Sequence, residues 1–210
     1  ESSEKETFGD LSVERIALEV EPAIVVPLVL LQSTVKDAGS GPVVVAFARD
    51  GKEKLLAERR ADFAQLLAGG AVLCLADLRG TGETRSGGYD GPSSTETALS
   101  CRDQVLGQTL IGSRLKDLRA VLTYLRTRKD LGNRFCIWGD SLADVNPADR
   151  SPVYPLRVNN PNIYAEPTAG LLALLCGLFE DDVTAIYARN DSQFSHLAAK
   201  PILVRSPRCR

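Results

Sequence analysis

The 210-residue sequence contains no methionine, one tryptophan and one histidine, His196. The absence of methionine even at position 1 points to a processed product or a domain cut from a longer polypeptide. A single histidine leaves too few ligands for the usual zinc sites, and the five cysteines, Cys74, Cys101, Cys136, Cys176 and Cys209, include no CxxC pair. We therefore expect no metal and no cofactor. Their odd number, wide spacing and apolar surroundings, as in Val72-Leu73-Cys74-Leu75, mark these thiols as reduced core residues. Charge of one sign is lacking too: 25 Lys and Arg against 27 Asp and Glu leave a net charge of -2. The signs are interspersed, so there is neither a basic face for nucleic acid nor an acidic tail. No apolar run reaches the ~18 residues of a membrane span. The N-terminus Glu1-Ser2-Ser3-Glu4-Lys5-Glu6 has no charged-then-apolar leader. The expectation is a soluble chain without a signal peptide, of undetermined location, with no nucleic-acid and no membrane partner.

What is present suffices for one domain with a full core, since 44% of the residues are hydrophobic. Residues 1–10 are polar and read as a linker or disordered segment, which leaves 11–210 as a single domain. Segments 13–20 and 24–31 read as two strands meeting near Glu21-Pro22, an antiparallel hairpin. After Gly39-Ser40-Gly41-Pro42, the run 43–48 is apolar throughout, as in a strand buried on both faces. Leucines and Phe63 recur at helical spacing over 53–68, and 71–76 is a second buried strand. A Gly-rich loop spans 77–88. The clearest helix follows, with Leu110, Ile111, Leu115, Leu118, Val121, Leu122 and Leu125 three or four apart. Strand 134–138, an irregular Pro- and Asn-rich excursion at 144–167, a helix at 170–179, and strands at 183–187 and 201–204 complete the chain. Such alternation predicts an α/β fold, a mainly parallel sheet with helices on both faces.

The strand at 134–138 runs into Gly139-Asp140-Ser141-Leu142-Ala143. A nucleophilic serine at a strained strand-to-helix elbow needs small residues two before and two after it, and Gly139 and Ala143 meet that need. The bland alternative is a polar turn after a strand. If Ser141 attacks a carbonyl, the oxyanion requires two backbone donors: the amide of Leu142 and one from Arg49 or Asp50, in the loop after strand 43–48. The latter loop can equally be a tight turn capped by Asp50. Gly80 and Gly82 could instead cradle a phosphate, but the loop matches neither nucleotide fingerprint. Asp140 reads most simply as a helix cap.

The order of strand, loop, helix, strand, Asp77-Leu78-Arg79-Gly80-Thr81-Gly82, long helix and Trp138-Gly139-Asp140-Ser141 resembles the acetyl xylan esterase-like and prolyl oligopeptidase-like branches of the α/β-hydrolase superfamily. The resemblance covers about residues 11–188. It implies that the D-x-R-G-x-G loop lies beside the active site and that small carboxylic esters, or less often peptides, are cleaved through an acyl-serine. It also implies the chain order serine, acid, histidine, with the histidine after the last strand. Position therefore departs from the family: His196 precedes the last predicted strand, and the sheet looks short of its final strand. One account makes His196 the base and Asp191, or its neighbours Asp181 and Asp182, the acid. The other makes His196 a surface residue of an impaired hydrolase-like domain, a fragment or accessory module of a larger enzyme. Tyr154 and Tyr164 are candidates to line the pocket for a small-molecule ester, and an exposed sheet edge would permit a homo-oligomer.

Overall fold

The computed structural model describes residues 2–35, 41–85, 95–142, 168–189 and 202–205. Its centre is β4 (Val43–Ala48), all six of whose residues are buried. A strand apolar on both sides is stable only between two layers of helices, and the structure supplies both. β4 pairs in parallel with β5 (Val72–Ala76) on one side and with β6 (Phe135–Asp140) on the other, and β6 pairs in parallel with β7 (Val183–Arg189). One face is covered by α1 (Lys52–Glu58) and α2 (Arg60–Ala68), whose Leu55 and Phe63 pack with Val44, Leu73, Leu75 and Trp138. The other is covered by α4 (Leu110–Thr127) and α5 (Thr168–Phe179), which bury Leu118, Val121, Leu122, Leu172 and Cys176 against Val43, Val45, Phe135 and Ile137. Each large aliphatic side chain so buried contributes about 1.5–3 kcal/mol. α4 starts at Thr109, whose hydroxyl accepts a hydrogen bond from Gly112 N at 3.1 Å.

The remaining strands are antiparallel. β2 (Leu11–Glu21) and β3 (Ile24–Ser33) form the expected hairpin, turned at Ala23 with φ 64°, and β3 joins the sheet against β5. β8 (Ile202–Arg205) pairs with β7, giving the eight-stranded order β1-β2-β3-β5-β4-β6-β7-β8.

Four expectations need correction. The sheet is parallel only at its centre, in the β5–β4, β4–β6 and β6–β7 pairings, whereas its other four pairings are antiparallel, so it is mixed and not mainly parallel. Residues 2–8, expected within a linker, form β1 (Ser2–Phe8), paired with β2 from Ser2↔Ala17 to Phe8↔Leu11. Its ladder is held by main-chain bonds, and its exposed side chains leave no apolar alternation to read. The helix expected over 53–68 is broken at Arg59, which leaves helical geometry with φ −115° and ψ 21°. A further helix, α3 (Thr95–Val105), precedes α4. It carried no legible apolar stripe, and Val105 at its end and Leu106 just beyond are exposed.

Candidate active site

The carboxyl end of the parallel strands is where open α/β sheets hold their ligands, and three predicted residues meet there. Ala48 and Asp140 are partners in the β4–β6 register, so Arg49 and Asp50 leave the sheet beside Ser141. Ser141 extends the ladder by one bond, its N–H reaching Arg189 O at 3.4 Å. The glycine two residues earlier is mandatory here: a Cβ on Gly139 would lie 2.1 Å from the Ala169 carbonyl oxygen and 2.9 Å from Ala173 Cβ. α5 can therefore approach the end of β6 only because residue 139 has no side chain.

The turn itself is strained. Leu142 has φ 49°, and among the described non-glycine residues it shares a positive φ only with Ala23. Such a conformation costs on the order of 1–3 kcal/mol unless the surroundings enforce it. Asp140 does the enforcing. Its carboxylate, wholly buried, accepts a hydrogen bond from Leu142 N–H at 3.0 Å through Oδ1 and from Arg59 Nε at 2.7 Å through Oδ2. The hydrogen bond to Asp140 in turn raises the Arg59 guanidinium above its ordinary pKa. Asp140 is therefore the clamp of the turn. The break at Arg59 is what aims the guanidinium at it.

This clamp corrects the oxyanion assignment of Leu142, because its amide is engaged by the Asp140 carboxylate. Ser141 Oγ presents the opposite case. Ser141 is 2% exposed, and Oγ has no hydrogen-bond partner among the described residues, a condition shared only by Trp138 Nε1. An unmet buried hydroxyl costs about 1–3 kcal/mol.

Around this turn the Asp77–Gly82 motif is a frame. Asp77, 1% exposed, accepts from Lys52 N–H at 2.6 Å, Lys52 Nζ at 2.7 Å and Glu83 N–H at 2.9 Å. Gly82, at φ 45°, packs where a Cβ would fall 2.2 Å from the Asp77 carboxylate. A loop already holding a carboxylate in its amides is no phosphate cradle, which disposes of that alternative. Arg79 grips buried Asp117 through Nε at 2.9 Å and Nη2 at 2.5 Å. Arg114 holds the carbonyl of Arg79 at 3.0 Å and Glu96 at 2.9 Å, and Glu96 also meets Arg49 at 3.3 Å. The side chain of Asp50 pairs with Lys54. A cavity of about 460 Å³ opens beside Lys52 and Glu83, between them and β1–β3, and Ser141 does not line it.

Sequence reasoning missed Lys52 and Arg59. Both look like ordinary exposed helix residues, and their partners lie 25 and 81 positions away. Asp181 and Asp182 precede β7 and so stand at the opposite end of the sheet from Ser141, with Asp182 held by Arg126 at 2.5 Å. They are not the acid of this site. His196, Asp191, Tyr154, Tyr164 and Ala143 lie outside the described residues. Among the described residues no cluster of three or more His, Cys, Asp or Glu could hold a metal ion, and no helix is long and apolar enough to cross a membrane.

No family model matches the chain, and no curated protein matches its sequence. Solved structures do. A provisionally assigned acetyl xylan esterase of Bacteroides fragilis is similar over 89% of this chain and 47% of its own, with TM-score 0.65 at 14% identity. An acetyl xylan esterase of Paenibacillus sp. R4 matches over 88% of this chain and 52% of its own, with TM-score 0.57 at 13% identity. Acetyl xylan esterase 1 of a Thermoanaerobacterium species matches over 89% of this chain and 51% of its own, with TM-score 0.58 at 13% identity. The chain thus spans about half the length of these relatives. Sheet order, parallel centre and overall superposition together identify the fold of this chain as that of the α/β-hydrolases.

Proposed function

We propose that the chain carries the nucleophile core of a serine esterase that cleaves small carboxylic esters through an acyl-serine. The observation that carries this reading is the buried hydroxyl of Ser141 at the end of β6, without a partner among the described residues and beside a non-glycine residue held at positive φ. An orphan polar group kept in a strained turn is the pattern of a site built for chemistry. The likeness in fold to acetyl xylan esterases supports esters, acetylated sugars among them, as the substrate class.

In this reading Ser141 Oγ attacks the ester carbonyl and a general base takes its proton. His196 is the base by chemistry, as the only histidine in the sequence, and Asp191 would orient it. A main-chain amide at Arg49 or Asp50 completes one side of the oxyanion site, because β4 ends level with β6. Tyr154 and Tyr164 are proposed to line the pocket. Hydrolysis of p-nitrophenyl acetate by the purified chain, abolished by Ser141→Ala, is the expected result. No hydrolysis, or hydrolysis that survives Ser141→Ala, would sink the proposal.

A second reading is favoured by the engagement of the Leu142 amide with Asp140. In that reading the domain keeps the architecture of a hydrolase without its activity and serves as part of a larger enzyme. A fluorophosphonate probe separates the two, since an unactivated serine resists it.

A further inference from the structure

The amide next to the nucleophile is normally an oxyanion donor, yet here Leu142 N–H is held by Asp140, itself locked by Arg59. A donor bonded to a buried carboxylate is lost to a developing alkoxide, and the carboxylate would repel that alkoxide as well. α5 offers a replacement. Ala169 and Ala173 lie against Gly139, while Gly177 lies against Ile186, which is level with Ile137 in the β6–β7 register. α5 therefore runs antiparallel to β6, and its N-terminus stands where Ser141 leaves the sheet. Helix N–H groups point toward the N-terminus, and those of the first turn have no acceptor within the helix.

The second observation is Ser141 itself. Its ladder bond to Arg189 O keeps the strand alternation running through residue 141, which puts its side chain on the same face as Gly139, the face that α5 covers. Its Oγ, buried and without a partner among the described residues, is thereby aimed at the first turn of α5.

We infer that first-turn amides of α5, those of Ala169 and Gly170, stabilise the oxyanion formed at Ser141, in place of the Leu142 amide. The inference rests on the acyl-serine reading above. In the step concerned, Ser141 Oγ bonds to the acyl carbon and the carbonyl π pair moves onto oxygen as the alkoxide that these amides meet. The hydroxyl proton passes to the general base. Collapse re-forms the carbonyl, breaks the bond to the alcohol oxygen, and returns that proton to the departing alcohol.

The test removes one N–H at a time from the full chain by amide-to-ester replacement: lactic acid for Ala169, glycolic acid for Gly170, leucic acid for Leu142. None of these N–H groups is spent on a bond within α5, and circular dichroism checks that folding is kept. The rate of Ser141 phosphonylation by a fluorophosphonate and kcat for p-nitrophenyl acetate are read together. An ester at Ala169 or Gly170 is expected to lower both by about 100-fold with KM nearly unchanged, a larger loss than the ester at Leu142 causes by loosening the turn. The reverse pattern overturns the inference. Ser141→Ala in the same assays tells the two levels apart. If wild-type protein does not label, or the variant still hydrolyses, the nucleophile reading falls and the inference with it. If Ser141 is required and the α5 esters are silent, only the inference falls.

Discussion

Replacing Arg59 with methionine leaves a carboxylate stranded in the protein. Asp140 has no exposed side-chain surface, and Arg59 is its cationic partner among the described residues, at 2.7 Å from Nε and 3.4 Å from Nη2. Removing one member of a buried pair costs about 3–5 kcal/mol, a large share of the 5–15 kcal/mol that holds a typical domain. Asp140→Asn should cost much less, about 1–2 kcal/mol, because the amide oxygen still accepts from Leu142 N–H and Arg59, 14% exposed, can turn its charge toward water. The combined Arg59→Met, Asp140→Asn variant then removes both charges and keeps the turn acceptor. It should be more stable than Arg59→Met alone by about 2 kcal/mol, a coupling that neighbouring residues show and distant ones do not. Urea unfolding followed by circular dichroism gives all four values from the midpoints at constant slope. The reasoning is refuted if Arg59→Met costs less than about 1 kcal/mol, or if the second substitution fails to restore stability.

Gly139→Ala drives a Cβ to within 2.1 Å of the Ala169 carbonyl oxygen, so α5 must retreat from β6. A loss of more than about 3 kcal/mol in urea unfolding is expected, together with slower fluorophosphonate labelling, and an unchanged midpoint would contradict the close approach. Burial pushes the thiols of Cys74 and Cys176 up to about 12, whereas Cys101 is exposed. Iodoacetamide at about pH 8 should therefore modify Cys101 and spare the other two in peptide maps, and equal reactivity of Cys74 would count against the core assignment. The hydrogen bond from Arg128 lowers the pKa of Asp130. Its contribution is present above the unfolded value near 3.9 and is lost as pH falls through the lower folded value. With the Asp130 side chain 47% exposed, Asp130→Asn should cost less than about 1 kcal/mol near neutrality and flatten the acid limb of Tm against pH. An acid limb identical to wild type would remove Asp130 from the account.

The parts of the fold legible in the sequence were those whose cause is local. Val43–Ala48 and Val72–Ala76 are buried on both faces, so their apolar runs are continuous, and α4 buries one stripe, so its leucines recur at helical spacing. Gly139 was legible because its constraint is set two residues from the serine. β1 was hidden because a strand with exposed side chains is specified by its neighbour's backbone. The split at Arg59 was hidden because the partner it meets there, Asp140, lies 81 positions away in the sequence. The same holds at the site. Lys52 bonding Asp77 beneath Gly82, and Arg59 bonding Asp140, are tertiary contacts between residues whose types suggest a solvated surface. What the sequence could not reveal was therefore which polar groups are spent on holding the turn and which are left over.

That division explains why the clamp exists. A turn at φ 49° on a leucine needs a restraint, and the Leu142 N–H to Asp140 bond, anchored by Arg59, supplies it locally. The restraint consumes the amide that would otherwise be open to an oxyanion. The clamp on the turn and the proposed donation by the first turn of α5 are then two sides of one arrangement. They should stand or fall together: loosening the clamp by Asp140→Ala should raise the exposure of Leu142 N–H to hydrogen exchange without returning it to catalysis, because the turn it would serve relaxes at the same time. Faster exchange at Leu142 accompanied by a higher kcat would break the link between the two.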